Sequence, residues 1–206
     1  MSDIKPSNIP SNLDIDSLCG KLNAMGGPAK NCRFAVRISP TGQIASGVTS
    51  GGMLNDLIYL CETTEFPGRG FNTTEIRYWG PSQVMPNNVL YGAGINMSFI
   101  CRNDSTERAF FDNWQDVINP VNNFMFEYPD NYYADIQIFQ LSEVGQLSGG
   151  DGRQLASQVA TYGWTLRKSW PTLVNPQQVT WADQDILRLQ VSFAYKYWDR
   201  PNLQTS

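Results

Sequence analysis

The chain has 206 residues and a mass of 23.1 kDa, enough for one β-rich domain with extensions, because two halves would each have a marginal core. Its net charge of -4 and pI near 4.8 exclude a grip on nucleic acid through clustered Lys and Arg, and a charged fraction of 17%, against a usual value of about 25%, leaves much of the polar surface neutral. Histidine is absent, which excludes Ser-His-Asp and Cys-His catalysis and removes the commonest transition-metal ligand.

Residues 1–30 are polar and rich in Ser, Asn, Pro and Gly, and MSDIKPSNIP lacks the apolar centre of a signal peptide. A short amphipathic helix is expected from about Asp14 to Met25, with Ile15, Leu18 and Leu22 at helical spacing and GGPAK stopping it. This segment reads as an N-terminal arm, followed by a core domain over 31–200 and a tail over 201–206. From Cys32 the period becomes two: Phe34, Val36 and Ile38 alternate with Ala35, Arg37 and Ser39, the pattern of a half-buried strand. The turn-rich stretch from Ser39 to Gly52 is expected to project as a loop. Leu57 to Thr63 and Thr73 to Trp79 are the next two expected strands, with Pro67-Gly68 as the turn between them. Ile95 to Cys101 follows, with Ile95, Met97, Phe99 and Cys101 on one face.

The single strong helix signal runs from about Ser105 to Ile118. Asp104 is placed to cap it, Glu107 to complete a capping box, and Phe110, Trp114, Val117 and Ile118 form an apolar stripe that ends at Asn119-Pro120. Asp135 to Leu141 reads as a strand and SEVGQLSGGDGRQ as an exposed connection. Val159 to Trp170 is a further strand region, broken at Pro171. The clearest strand is Ile186 to Trp198, where Leu187, Leu189, Val191, Phe193, Tyr195 and Tyr197 alternate. The whole reads as mainly β, a twisted antiparallel sheet of about seven strands with one helix.

Motifs for chemistry are missing. Gly68-Arg69-Gly70 and Gly149-Gly150-Asp151-Gly152 lack the Lys-Ser/Thr of a phosphate loop, and Asp151-Gly152 lacks the alternating oxygen ligands of a calcium loop. Asp183 with Asp185, or Asp130 with Asp135, would be the carboxylate pairs of a hydrolase, but acids at such spacing normally sit in solvated turns. Trp164, Trp170, Trp181, Trp198 and the Phe110-Phe111-Trp114 group offer stacking surfaces for sugars or bases, and without a basic groove they read as core and interface aromatics. Cys19, Cys32, Cys61 and Cys101 have no CxxC spacing and are expected as buried free thiols. No catalytic, cofactor-binding or metal-binding residue is expected, and no run approaches the roughly 20 apolar residues of a membrane span.

Taken in order, these segments resemble the tail tube proteins of T-even-type contractile bacteriophages. The resemblance covers roughly residues 32–200 and is carried by Leu60-Cys61-Glu62 through Phe66-Pro67-Gly68, Glu75-Ile76-Arg77-Tyr78-Trp79-Gly80-Pro81, Ile95 to Asp104, Phe111-Asp112-Asn113-Trp114, the Trp170-Pro171 corner and the terminal Phe193 to Trp198. It implies a small antiparallel β-barrel or sandwich with one flanking α-helix, assembled as hexameric rings whose sheets pool into a shared inner barrel. Stacked rings would form the inner tail tube, the channel for DNA delivery, with no reaction catalysed and no cofactor. The implied partners are further copies of the chain, tail sheath, baseplate or neck proteins, and a tape measure protein and genomic DNA in the lumen without specific DNA binding. The implied location is the virion, after assembly in the host cytoplasm. Within the ring, hairpin 57–79 and strand 186–198 are expected as barrel elements, and residues 1–30 and 39–56 as contacts between rings. The long arm, the 39–56 loop and the aromatic run VNNFMFEYPDNYYAD depart from a minimal tube subunit. The alternatives are a baseplate ring of the same fold that initiates the tube, the injection tube of a bacterial secretion system, and a carbohydrate-binding β-sandwich.

Overall fold

The computed structural model describes residues 19–20, 28–42, 44, 53–92, 94–141, 160–182 and 184–201. The expected loop 142–154, most of the arm and its helix, and the tail beyond Pro201 lie outside these residues. The chain divides into two compact units, Met1–Phe34 with Gln140–Thr161, and Ala35–Phe139 with Tyr162–Ser206. In the first, the Leu141 amide donates to the Arg33 carbonyl at 3.0 Å and the Thr161 hydroxyl to the Gln140 carbonyl at 3.3 Å. The second holds the buried core.

Strand β1 spans Phe34–Pro40 with Val36 and Ile38 buried, as their alternation requires. A helix, α1, occupies Met53–Leu60, and strand β2 takes only Cys61–Thr64. The strand expected from Leu57 is therefore mostly helix: Leu54, Leu57 and Ile58 turn to one side at helical spacing while Asp56 and Tyr59 stay exposed. Strands β3 (Arg69–Ile76) and β4 (Gln83–Tyr91) pair antiparallel as a separate two-stranded ribbon, and β2 pairs instead with β5 (Ile95–Ile100). The expected 57–79 hairpin does not form. Pro67-Gly68 instead joins strands that belong to two different sheets. The ribbon turns back near Gly80, at φ 79, whose carbonyl accepts from Arg77 Nε at 2.9 Å.

Helix α2 (Thr106–Ile118) buries Phe110, Phe111, Trp114 and Ile118. Its capping differs from expectation. Ser105 is the cap residue at φ 50 and makes no side-chain cap bond; Glu107, fully buried, turns back to accept from the Arg102 amide at 3.2 Å and from Arg102 Nε. Arg102 also reaches Asp56 of α1 at 3.1 Å. The carboxylate reserved for a capping box ties two helices to the end of β5. A short helix, α3 (Pro129–Tyr132), follows. Gly42 lies so close to it that a Cβ there would meet the Asp130 and Asn131 carbonyl oxygens at 2.8 Å, and its φ of +64 favours glycine. Ile44 is buried. The beginning of the supposed projecting loop is therefore packed down; residues 45–52 lie outside the described residues.

Strands β6 (Ala134–Leu141), β7 (Ala160–Val174), β8 (Arg188–Ala194) and β9 (Tyr197–Asp199) complete the sheet, ordered β1-β6-β7-β8-β5-β2 with β9 also on β7. Strand β7 changes partners along its length. Thr165, Leu166 and Arg167 pair with β9, whereas Trp170 to Val174 pair with β8. Between them Lys168 takes φ 55 and buried Ser169 donates to the Leu166 carbonyl at 3.3 Å, a crook that passes the strand from one layer to the other. Pro171 does not end the strand. It sits at a register shift between Pro171 and Leu173, where a missing N–H is tolerated. The strand expected over 186–198 is likewise two strands, parted at Tyr195-Lys196, where the Lys196 amide donates to the Arg167 carbonyl at 3.1 Å.

The result is an antiparallel, mainly β sandwich whose sheet is not closed into a barrel, with β1 and β2 at its ends. Ile95, Met97 and Phe99 of β5 and Leu189, Val191 and Phe193 of β8 point inward and meet α2, where Phe111 contacts Phe99 at 5.2 Å and Phe193 at 5.9 Å between ring centroids. Each such fully buried side chain contributes about 1.5–3 kcal/mol.

Candidate assembly interface

The carboxylates singled out as catalytic pairs are engaged elsewhere. Asp135 binds Arg167 Nη1 at 2.6 Å, and Arg167 also holds Asp199 at 3.1 Å; Asp130 lies 3.7 Å from Lys168 Nζ. Asp185 binds Arg188 at 3.2 Å, and Asp183 is outside the described residues. Hydrogen bonds to carboxylates raise the pKa of both Arg167 and Arg188, so these cations stay charged. Among the described residues no cluster of three or more His, Cys, Asp or Glu side chains is placed to hold a metal, and no helix is long and apolar enough to cross a membrane.

The tryptophans do not form a stacking platform. Trp114 is buried and donates from Nε1 to the Tyr132 carbonyl at 2.9 Å. Trp164 is stacked on Phe66 at 4.3 Å, Trp170 meets Tyr132 edge-on, and Trp198 donates to the Gly68 carbonyl at 3.1 Å. Trp181 and Trp79 stand fully exposed.

The cysteines are all free, but Cys19 and Cys32 are exposed and Cys61 and Cys101 only half-buried, so burial of all four is corrected. The sequence hid this because exposure of Cys32 depends on where the first strand begins. Loss of water around Cys61 pushes its thiol up to about 12, and Cys101 is also raised by desolvation despite the hydrogen bond it accepts from Gln177. The thiolate is the reactive species. Iodoacetamide at pH 8 should therefore modify Cys32 quickly and leave Cys61 largely intact in the folded protein, as read by peptide mass spectrometry; equal rates would show that Cys61 is not shielded.

Exposed apolar surface is concentrated on the β3–β4 ribbon. Phe71, Val84, Met85 and Leu90 are exposed along it, and Tyr78 and Trp79, 86% and 96% exposed, stand in its connection. The sequence reading assigned no element to β4. In the ribbon, Pro86 sits at a bulge opposite Thr73. A two-stranded ribbon has marginal stability in water, so one with apolar side chains on both faces is suited to burial against another surface. A second exposed group, Val121, Phe124, Met125, Phe126 and Tyr128, lies between α2 and α3. Its backbone is fixed by bonds from the Phe124 amide to the Pro120 carbonyl at 2.9 Å and from the Glu127 amide to the Ile118 carbonyl at 3.0 Å. Among the described residues, the sheet ends β1 and β2 add strand edges with no further strand beside them.

The family model of phage tail tube proteins matches residues 29–200. Among solved structures, the chain is similar to a component of the PVC extracellular contractile injection system, solved as the sheath–tube complex in its extended state, with 14% identity over 88% of this chain and 96% of that one and a TM-score of 0.55. It is similar to a chain of the six-fold symmetrised baseplate of the anti-feeding prophage, with 14% identity, 86% and 97% coverage and a TM-score of 0.55. A chain of that prophage's tube-terminating cap gives 15% identity, 84% and 91% coverage and a TM-score of 0.51. No curated protein matches.

Proposed function

The chain belongs to the phage tail tube protein family, and from that premise we propose that it is a structural subunit of the inner tube of a contractile phage tail, assembling as hexameric rings that stack around a DNA channel. The observation that carries this reading is the unfinished sheet: among the described residues β1 and β2 leave strand edges at both ends, and the β3–β4 ribbon is mostly exposed beyond its Tyr91 end, which meets Tyr197 and Trp198. Ring closure satisfies all of these at once, because each edge pairs with a neighbour and the ribbon gains a surface. The subunit catalyses no reaction and needs no cofactor. Its partners are its own copies, the sheath, baseplate or neck proteins, a tape measure protein, and genomic DNA that passes without being gripped. It works in the virion after assembly in the host cytoplasm. Residues 1–30 act as an arm, with 31–200 as the tube domain.

A baseplate ring that initiates the tube is the second reading, favoured by the likeness to the anti-feeding prophage baseplate. Purified protein in negative-stain microscopy separates these ideas. Six-fold rings that grow into long tubes are expected for the tube subunit, and rings that stop at one or two layers would indicate the initiator. A monomer at high concentration would remove both.

A further inference from the structure

The register of β5 against β8 sorts their side chains into two unlike faces. Ile95↔Phe193, Met97↔Val191 and Phe99↔Leu189 fill the core; the alternate pairs Asn96↔Ser192 and Ser98↔Gln190 face away from it. This outer face is a ladder of neutral hydrogen-bonding groups tied to one another: the Ser192 hydroxyl donates to Asn96 Oδ1 at 2.7 Å, Asn175 Nδ2 donates to Gln190 Oε1 at 2.9 Å, and the Thr172 hydroxyl donates to the Ser192 carbonyl at 3.0 Å. The four residues at its middle are neutral and polar and include no lysine; aliphatic side chains stand only beside them, half-buried Ile100 opposite Arg188 and exposed Leu173 opposite Ser192. Its charges are gathered at one end of the strands, beside an open groove of about 940 Å³, where one cation, Arg188, stands between Glu62 at 2.7 Å and Asp185 at 3.2 Å. The opposite layer differs: Arg37 is exposed on β1, and Asp135 of β6 and Arg167 of β7 form an ion-paired cluster with Asp199.

We propose that the Asn96–Ser98–Gln190–Ser192 face is the wall of the channel, facing passing DNA, and that the charged β1–β6–β7 layer faces outward. The inference rests on the tail-tube reading. A surface that buries itself against another protein carries apolar side chains at its centre, whereas here the centre is Asn96, Ser98, Gln190 and Ser192, with Leu173 and Ile100 at its margins. A surface that holds DNA carries Lys and Arg, whose attraction to phosphate is the salt-dependent term of binding. This face carries one arginine already neutralised by two carboxylates. Side chains that satisfy one another's hydrogen bonds, with a slight acid excess at one end, present a polyanion with a wetted surface and no counterion to displace.

The test places a thiol on each face of assembled tubes. Ser98→Cys or Ser192→Cys, made with Cys19→Ser and Cys32→Ser to lower background, is labelled with a maleimide gold cluster and imaged in cross-section by cryo-electron microscopy, with Arg37→Cys as the counterpart. Gold inside the channel for Ser98→Cys and Ser192→Cys, and outside for Arg37→Cys, is the expected result. Gold on the outer wall for Ser98→Cys overturns the proposal while leaving the tube reading intact, and so does failure of both serine variants to assemble when their background assembles, since that places them at subunit contacts. If the background protein forms no rings, the tube reading itself fails. As an independent arm, Gln190→Lys tubes should retain a labelled DNA oligonucleotide about tenfold more than wild type at low salt, with the excess lost as salt rises. Equal retention would count against DNA as the occupant.

Discussion

Replacing Val84 and Phe71 by aspartate should abolish tube formation while leaving the subunit folded. Both side chains are more than half exposed in the isolated chain, at 62% and 54%, so the substitutions cost the monomer no more than about 0.5 kcal/mol, the usual effect of a surface change. In the proposed ring the same positions would be buried against a neighbour, where a charge must be desolvated without a partner. Loss of an anchor of this kind costs about 2 kcal/mol or more per contact, and the penalty recurs at every subunit of a polymer. Sedimentation and microscopy should show monomers where wild type forms tubes, with an unchanged melting temperature. Normal tubes from the double variant would mean that the ribbon faces solvent in the assembly.

Trp114→Ala should produce the reverse pattern, a damaged subunit. Trp114 is completely buried, stacked on Phe111 at 6.4 Å and packed against Phe193 at 6.1 Å, and its Nε1 anchors α3 through the Tyr132 carbonyl. Large-to-small changes at such sites cost about 3–5 kcal/mol, a large part of a total of about 5–15 kcal/mol. For a chain of this size the melting temperature should fall by roughly 6–20 °C. Trp181→Ala, on an exposed side chain, should shift it by about 2 °C at most. Equal effects at the two tryptophans would show that α2 does not organise the core.

The elements legible in the sequence were those whose side chains report on a single partner layer. β1, β5 and β6 alternate because one face is core and the other is not, and Phe110, Trp114 and Ile118 keep helical spacing because α2 has one buried side. Where an element ends or changes partner, periodicity carries no signal. Leu187 to Tyr197 alternates without interruption, yet the chain parts at Tyr195-Lys196 because β9 belongs with Arg167 and its neighbours on β7. Pro171 looked like a terminator because the position of a bulge depends on the opposite strand, Phe193 and Ser192, over 20 residues away in sequence. Glu107 looked like a local cap, and its burial with Arg102 could be known only once α1 was placed beside α2. The candidate interface was the least legible part, since Phe71 fell between two expected strands and Val84, Met85 and Leu90 in a stretch with no expected element, and their exposure depends on a ribbon that only the structure shows.

The crook at Lys168-Ser169 gives one unbroken peptide chain to both layers of the sandwich. Force applied along either layer is therefore carried across by covalent bonds in β7, and not by the friction of packed side chains alone. To shear the layers apart, β7 must give up its hydrogen bonds either to β9 at one end or to β8 at the other. A subunit wired in this way meets a sudden axial load as one mechanical body.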